Sequence, residues 1–416
     1  MEQLHKRFSA EQVKLLLQRY CEGHLARKEI EEILGVGKTR FFALLKEYRQ
    51  APESFSVTYE RTSPLRLSVE VEQEIEHELR REKRLVKDKR LPISSYNYSA
   101  LRDRLRKKKI KVSVPTIIAR AKRLDCYQPK RKHKAHEREV VTTAIGALIQ
   151  HDASLHLWSP YATEKWTLIT SIDDYSRMLL FADFVAEETS WAHIQAARSL
   201  MQTYGLPLRY YVDNLRVFRF VQRRDSVWRK QVLETDQVAP QWRQVLALLK
   251  VEVAYALSPQ AKGKVERPYR WLQDRIVRTC ALEHLATLEE VRTVLREEVH
   301  RYNTQQVHST TGQIPHLRFE QARTSGNSLF RPFALPKPYT SPKDVFCLRN
   351  TRIVDSYRKV SLFHQRIPVP HVPLHEEVEL HLVPDLARQV LEVRIWWQHK
   401  MIQALHFPLR DFHSPF

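Results

Sequence analysis

Cysteine is scarce and never closely spaced: the 416 residues hold four, Cys21, Cys126, Cys280 and Cys347, with no Cys-x-x-Cys pair. That spacing excludes a disulfide framework and a thiolate zinc site, and it predicts buried thiols in a reducing compartment. Long apolar runs are missing too. No stretch approaches the roughly 20 residues that span a bilayer, and Met1-Glu2-Gln3-Leu4-His5-Lys6 opens no signal-peptide pattern. A soluble, intracellular protein with no membrane partner is expected. Internal repeats and low-complexity tracts are likewise lacking.

Acidic residues are too few to balance the basic ones. Lys and Arg number 69 against 48 Asp and Glu, a formal net charge of +21. Such an excess favours a polyanionic partner and dense phosphate contacts, double-stranded DNA or RNA ahead of an anionic membrane. The apolar fraction of 43%, with 10% aromatics, suffices to offset the entropy of ordering and excludes wholesale disorder. The length exceeds what one hydrophobic core organises, so two to four domains are expected.

From Ser9 the apolar residues recur at helical spacing, opened by Ser9 and Gln12 as a capping box and broken at Gly35-Val36-Gly37. Three helices result, the second near Ala26 to Leu34 and the third near Thr39 to Tyr48. The pattern is that of a helix-turn-helix over 1–50, with Lys38, Arg40 and Lys46 toward DNA. Its bland counterpart is a three-helix bundle with a solvated basic face. A polar stretch from Ala51 to Pro64 leads to a second such unit over 65–127. There Ser113 caps a helix with Pro115 in its first turn, Ile117, Ile118 and Ala121 form the apolar face, and Arg120, Lys122 and Arg123 stay outside. A basic linker over 128–143 follows, in which Lys130, Arg131 and Lys132 would track a phosphate backbone.

The pattern then changes to α/β. IGALIQHDASLHLW, KWTLITSIDDYSR and MLLFADFV read as three strands, the last two joined by a turn at Asp173-Asp174-Tyr175-Ser176. A helix runs from Ser190 to Tyr204 and stops at Gly205. LRYYVDN is a fourth strand, QWRQVLALLK a helix, VEVAYA a fifth strand, and AKGKVERPYRWLQDRIVRTC a long basic helix. A meander followed by strand-helix crossovers predicts a mixed five-stranded sheet with helices on its faces. A helical extension over 281–331 comes next. The proline-rich Pro332 to Pro342 then sets off a β-rich domain over 340–416, expected as a small β-barrel or sandwich.

Three acids stand where this topology gathers them: Asp152 in the first strand, Asp213 ending the fourth, and Glu266 near the start of the long helix. If the first and fourth strands are neighbours, the two aspartates become adjacent, and a helix across that edge brings the glutamate to them. Clustered carboxylates repel one another unless cations neutralise them, and an all-oxygen ligand set suits Mg²⁺ or Mn²⁺. Two ions roughly 3.5 to 4 Å apart would activate a water or 3′-hydroxyl and stabilise the leaving oxygen of a phosphodiester. Competing assignments are blander: Asp173 and Asp174 as turn formers, His151 as a structural residue, and Glu252 as the opening of the fifth strand.

At these residues the chain resembles transposases and integrases with a retroviral-integrase-like, ribonuclease-H-like catalytic core bearing a DDE triad. The resemblance covers about Ala144 to Pro315. It lies in QHDAS, LITSIDDYSRMLLFADF, YGLP, VDN, SPQAKGKVER and RYNTQQVHSTTGQIP, and it implies a core over 144–280. The implied catalytic and metal ligands are Asp152, Asp213 and Glu266, with two Mg²⁺ or Mn²⁺ per site. Lys262, Lys264 and Arg270 would contact DNA near the reacting phosphate. The flanking architecture is similar to that of bacterial insertion-sequence transposases, which implies a prokaryotic, nucleoid-associated protein in the cytoplasm. It would act on element ends and target DNA as a homo-oligomer, dimer or tetramer, and the need for a helper ATPase stays open. The chain departs from the family in a longer Asp213-to-Glu266 interval, read as a basic insertion with Trp228. It also has Leu215 where Gly is frequent and Gln273 where a basic residue is, and it lacks a His/Cys zinc module, so no structural zinc is predicted. Two other readings are a catalytically inactive DNA-binding regulator on a vestigial core and a ribonuclease-H-type nuclease. The latter would carry a fourth core carboxylate.

Overall fold

The computed structural model describes residues 4, 8–57, 67–129, 142–212, 241–255, 266–363 and 365–412, with backbone alone at 266 and 267. The chain divides into two compact units, Met1–Gln73 and Glu74–Phe416.

In the first unit, helices α1 (Ala10–Cys21), α2 (Arg27–Leu34) and α3 (Lys38–Gln50) enclose Val13, Leu17, Ile30, Leu34, Phe41 and Leu44. The capping box forms as the sequence dictates. Ser9 Oγ accepts the Gln12 amide at 3.2 Å, and Gln12 Oε1 accepts the Ser9 amide at 2.9 Å. Helix α2 stops at Gly35, whose φ of 63° is left-handed and favours glycine. Cys21 is exposed, whereas Cys126, Cys280 and Cys347 are buried. The expectation of four buried thiols therefore holds for three, because Cys21 ends α1 on its solvent side.

Helix α4 (Val69–Lys87) leads into the second unit, followed by α5 (Tyr98–Lys107) and α6 (Val114–Arg123). Ser113 Oγ accepts the Thr116 amide at 3.2 Å, with proline in the first turn. Next come strands β1 (Ile149–His156), β2 (Trp166–Asp173) and β3 (Leu179–Val185), then helix α7 (Ser190–Tyr204), strand β4 (Arg209–Val212), helix α8 (Gln241–Leu248) and strand β5 (Glu252–Tyr255). The five strands form one mixed sheet in the order β3-β2-β1-β4-β5. β1 is antiparallel to β2 and parallel to β4. Helices α7 and α8 cover one face through Trp191, Ile194, Trp242 and Val245, packed with Ile149 and Tyr210. Helices α9 (Glu266–Glu283) and α10 (Leu288–Gln305) cover the other, where Leu272, Ile276, Val291 and Leu295 meet Leu168, Ile172 and Phe184. Helix α11 (Pro315–Thr324) follows.

The segment from Pro332 to Pro342 is packed rather than a loose spacer. Phe333, Leu335 and Tyr339 lie against the α7–α8 core, and Leu206 and Arg331 exchange backbone hydrogen bonds of 2.7 and 2.9 Å. Gly205 is needed there: at φ +103° a Cβ would stand 2.6 Å from the Arg331 carbonyl oxygen.

A short helix α12 (Pro342–Val345) opens the β-rich region. Strands β6 (Leu348–Ile353), β9 (Glu377–Asp385), β10 (Val390–Trp397) and β11 (Lys400–Pro408) make an open sheet ordered β11-β10-β9-β6. Strands β7 (Lys359–Leu362) and β8 (Gln365–Pro368) make a separate hairpin. Among the described residues the expected barrel is therefore not closed. β9 is paired on both sides, which leaves β6 and β11 as edges. The hairpin strands instead bring Val360, Leu362 and Ile367 onto Leu380, Leu391 and Val393, giving two layers around one core.

Candidate active site on the central sheet

β1 alternates, so its two sides carry different chemistry. On the α7–α8 side His151 is fully buried. Its Nδ1 is 2.8 Å from Ser171 Oγ, its Nε2 is 2.8 Å from His193 Nδ1, and the ring stacks on Trp242. Both ring nitrogens are engaged, in keeping with a structural role.

Asp152 lies half-buried on the opposite side. In the antiparallel register it faces Thr170. Thr170 Oγ1 donates to the Tyr269 hydroxyl at 2.9 Å, so α9 crosses the sheet at the position paired with Asp152. One turn further along, Gln273 Nε2 donates to His156 Nε2 at 2.7 Å. Burial, helped by Lys165, lowers the His156 pKa and favours the neutral ring that accepts this bond. The advance from 269 to 273 along α9 thus follows the advance from 152 to 156 along β1. Glu266, which opens α9, belongs to the Asp152 end. Gln273, noted in the sequence only as a departure, turns out to anchor this helix.

The parallel register sets Ile149 opposite Tyr210 and Gln150 opposite Tyr211. Asp152 follows Gln150 by two residues, and Asp213 follows Tyr211 by two. Asp213 itself lies outside the described residues, as do Lys130, Arg131, Lys132, Lys262, Lys264 and Trp228, and the Glu266 side chain is not described. Among the described residues no three His, Cys, Asp or Glu side chains gather as a metal site.

The competing carboxylates have other occupations. Asp173 accepts the Gly146 amide at 2.9 Å, the Ser176 amide at 2.7 Å and the Ser176 hydroxyl at 2.6 Å, while burial pushes its carboxyl pKa up. Asp174 accepts from Gln150, Thr142 and Arg177 at 2.5, 2.8 and 2.7 Å. The Ser176 and Arg177 bonds are turn contacts, and those from Gly146, Gln150 and Thr142 tie the turn to the start of β1 and the segment that leads into it. Glu252 is exposed at the start of β5, and Arg209 holds it at 2.5 Å.

Of the basic residues, Lys38, Arg40 and Lys46 are exposed on α3, and Arg40 stands 3.7 Å from Glu47. Arg120 is half-buried in the last turn of α6, where Lys122 and Arg123 are exposed, and Lys122 lies 5.0 Å over the Tyr127 ring. Arg270 is exposed in the second turn of α9.

No family model matches this chain. It is 29% identical over 238 residues to a protein of Sinorhizobium fredii named, provisionally, as the transposase y4bF; the match covers 57% of this chain and 47% of that protein. It is 32% identical over 177 residues to the transposase for insertion sequence IS1202 of Streptococcus pneumoniae, across 42% of this chain and 36% of that protein. The aligned stretch thus spans less than half the length of either relative. The structure is also similar to the catalytic core domain of HTLV-2 integrase in complex with magnesium. That similarity has a TM-score of 0.31 and 14% identity, over 42% of this chain and 96% of that one. The curated relatives are thus transposases by name, in keeping with the resemblance seen in the sequence motifs.

Proposed function

We propose that this chain is a DNA transposase that binds element ends, cuts them at the 3′ end and joins them to target DNA. Asp152, Asp213 and Glu266 would hold two Mg²⁺ or Mn²⁺ ions. The observation that carries the reading is the Thr170–Tyr269 bond. It pins α9 over the residue paired with Asp152, while β4 runs parallel to β1 in the register that leads toward Asp213. The relatedness to two transposases supports it.

The donor set fits hard divalent ions, since all three side chains offer carboxylate oxygens and Asp152 is partly open rather than consumed in the core. When bound, such ions lower the pKa of an attacking water or 3′-hydroxyl and stabilise the leaving oxygen. The chain's own residues bind and orient the DNA. Lys262, Lys264 and Arg270 would hold phosphates beside the reacting one. The helix-turn-helix units over 1–50 and 65–127 would read the element end through Lys38, Arg40, Lys46, Arg120, Lys122 and Arg123, and the linker Lys130–Lys132 would follow the backbone. Work on two ends at once calls for a homo-oligomer on DNA.

Purified protein incubated with labelled element-end DNA and Mg²⁺ or Mn²⁺ tests this. Wild type is expected to give 3′ cleavage and joining, and Asp213→Asn to lose roughly a thousandfold of that rate while still binding the end. Equal rates would refute the assignment. Binding without metal-dependent cleavage by wild type would favour the regulator reading.

A further inference from the structure

Helix α9 has a second face, turned from the sheet toward α4–α6. Arg278, whose side chain is 2% exposed, donates to Glu82 at 2.5 Å and to the Ser95 carbonyl. Glu82 is fully buried, and it also accepts from Arg104 at 2.8 Å and from the Asn97 amide at 3.1 Å. The Asn97 side chain donates to Asp274, one turn before Arg278, at 2.5 Å. Arg275 donates to Asp103 at 2.8 Å. A small apolar patch, Leu85 and Ile93 against Val277 and Ala281, completes the contact.

Resting on the transposase reading, we propose that Arg275 and Arg278 are positioning residues for the metal site. Paired with Asp103 and Glu82, they fix the rotation and axial register of α9, and so the point from which Glu266 reaches the ions. On the sheet side the Thr170–Tyr269 and Gln273–His156 hydrogen bonds hold the amino half of α9, and the rest is apolar packing through Leu272 and Ile276, which is non-directional and tolerates small slips. Buried charges tolerate them poorly, because another register parts Arg278 from Glu82 and Arg275 from Asp103 and leaves desolvated charges short of a partner. The lever is rigid: twelve residues of helix carry a setting at Arg278 about 18 Å to Glu266.

The test uses the full-length double variant Glu82→Gln/Arg278→Gln, which removes both charges and leaves neither partner stranded. Three quantities are read: the melting temperature, Mn²⁺ affinity by calorimetry, and amide exchange of residues 269–276 without metal. At near wild-type melting temperature, Mn²⁺ binding is expected to weaken roughly tenfold or more and exchange in that segment to quicken, with binding of end DNA unchanged. A merely structural role would leave the Mn²⁺ affinity of the folded variant alone, and that result overturns the proposal. If this variant does not fold, the same readouts on Asp103→Asn/Arg275→Gln decide. Wild type that binds no Mn²⁺ would instead overturn the transposase reading, before any variant is compared.

Discussion

Residues 345–347 enter the core of the central sheet, whereas residues 74–126 meet the same body through charge. On the carboxyl side Val345, Phe346 and Cys347 share one apolar cluster with Ile149, Trp191, Tyr210 and Trp242. Gln241 and the backbone of Arg349 exchange hydrogen bonds of 2.7 and 2.6 Å. On the amino side Glu78, Glu82 and Asp103 face Arg104, Arg275 and Arg278 around the small Leu85–Ala281 patch. Apolar burial stabilises in proportion to area and ties two regions into one folding unit. Buried ion pairs add little net stability but penalise every wrong alignment. One flank is thus joined for stability and the other for register.

The largest expected effect breaks the apolar junction. Phe346→Ala should cost about 3–5 kcal/mol, in a single unfolding transition that takes the sheet with it, because Phe346 is fully buried in the shared cluster. Two separate transitions in urea, with the tryptophan signal of the sheet unmoved, would show that the β-rich region is an independent domain.

Next in size, pH should separate the flanks. Burial alone would raise the Glu78 carboxyl, but hydrogen bonds from Arg104 and Lys108 outweigh it and hold the pKa at about 2. A depressed acid contributes stability present above its unfolded value near 4.5, and that contribution is lost as pH falls toward 2. In the β-rich region burial alone would lower His381, yet Asp344, Cys347 and Glu379 raise it to about 10. A raised base contributes fully below its unfolded value near 6.5 and loses that contribution as pH climbs through 10. Acid should therefore loosen α4–α6 first and alkali the β-rich region. Hydrogen exchange at pH 3 and pH 10 checks this, and the reverse order would undo the comparison.

Much of this arrangement was legible from residue order. The runs around QHDASLH and LITSID mark β1 and β2, and Ser9, Gly35 and Ser113 punctuate the helices by local chemistry alone. What stayed hidden depends on partners far along the chain. Nothing in VEVEQEIEHELRREKRLVK sets Glu82 apart from its acidic neighbours, but Glu82 is buried because Arg278, 196 residues away, meets it. The Tyr269–Thr170 contact, 99 residues apart, carries no local signature either, although a threonine amid LITSI hints that one face is not wholly apolar. The β-rich region was expected as a barrel or a sandwich, and alternation could not choose between them because it gives each strand's faces and not its neighbour; the open sheets rule against the barrel. Of the proposed triad, the structure describes Asp152 and the backbone start of α9. The Asp213 side remains a proposal drawn from register.

The smallest expected effect sharpens the ionic side. Lys107 and Glu297 join α5 to α10 at 2.7 Å, yet both side chains are about half exposed, at 55% and 53%. Water and salt screen such a pair, so Lys107→Ala should change stability by less than about 0.5 kcal/mol, and even that should vanish near 1 M salt, where the screening length is about 3 Å. Arg275 and Asp103, only 3% and 6% exposed, lie beyond that screening, so the junction as a whole should keep its stability at the same salt. Urea unfolding of both proteins at low and high NaCl tests the distinction. A wild type that lost several kcal/mol in 1 M NaCl would mean the amino-side charges are solvated, and solvated charges cannot set the register of α9.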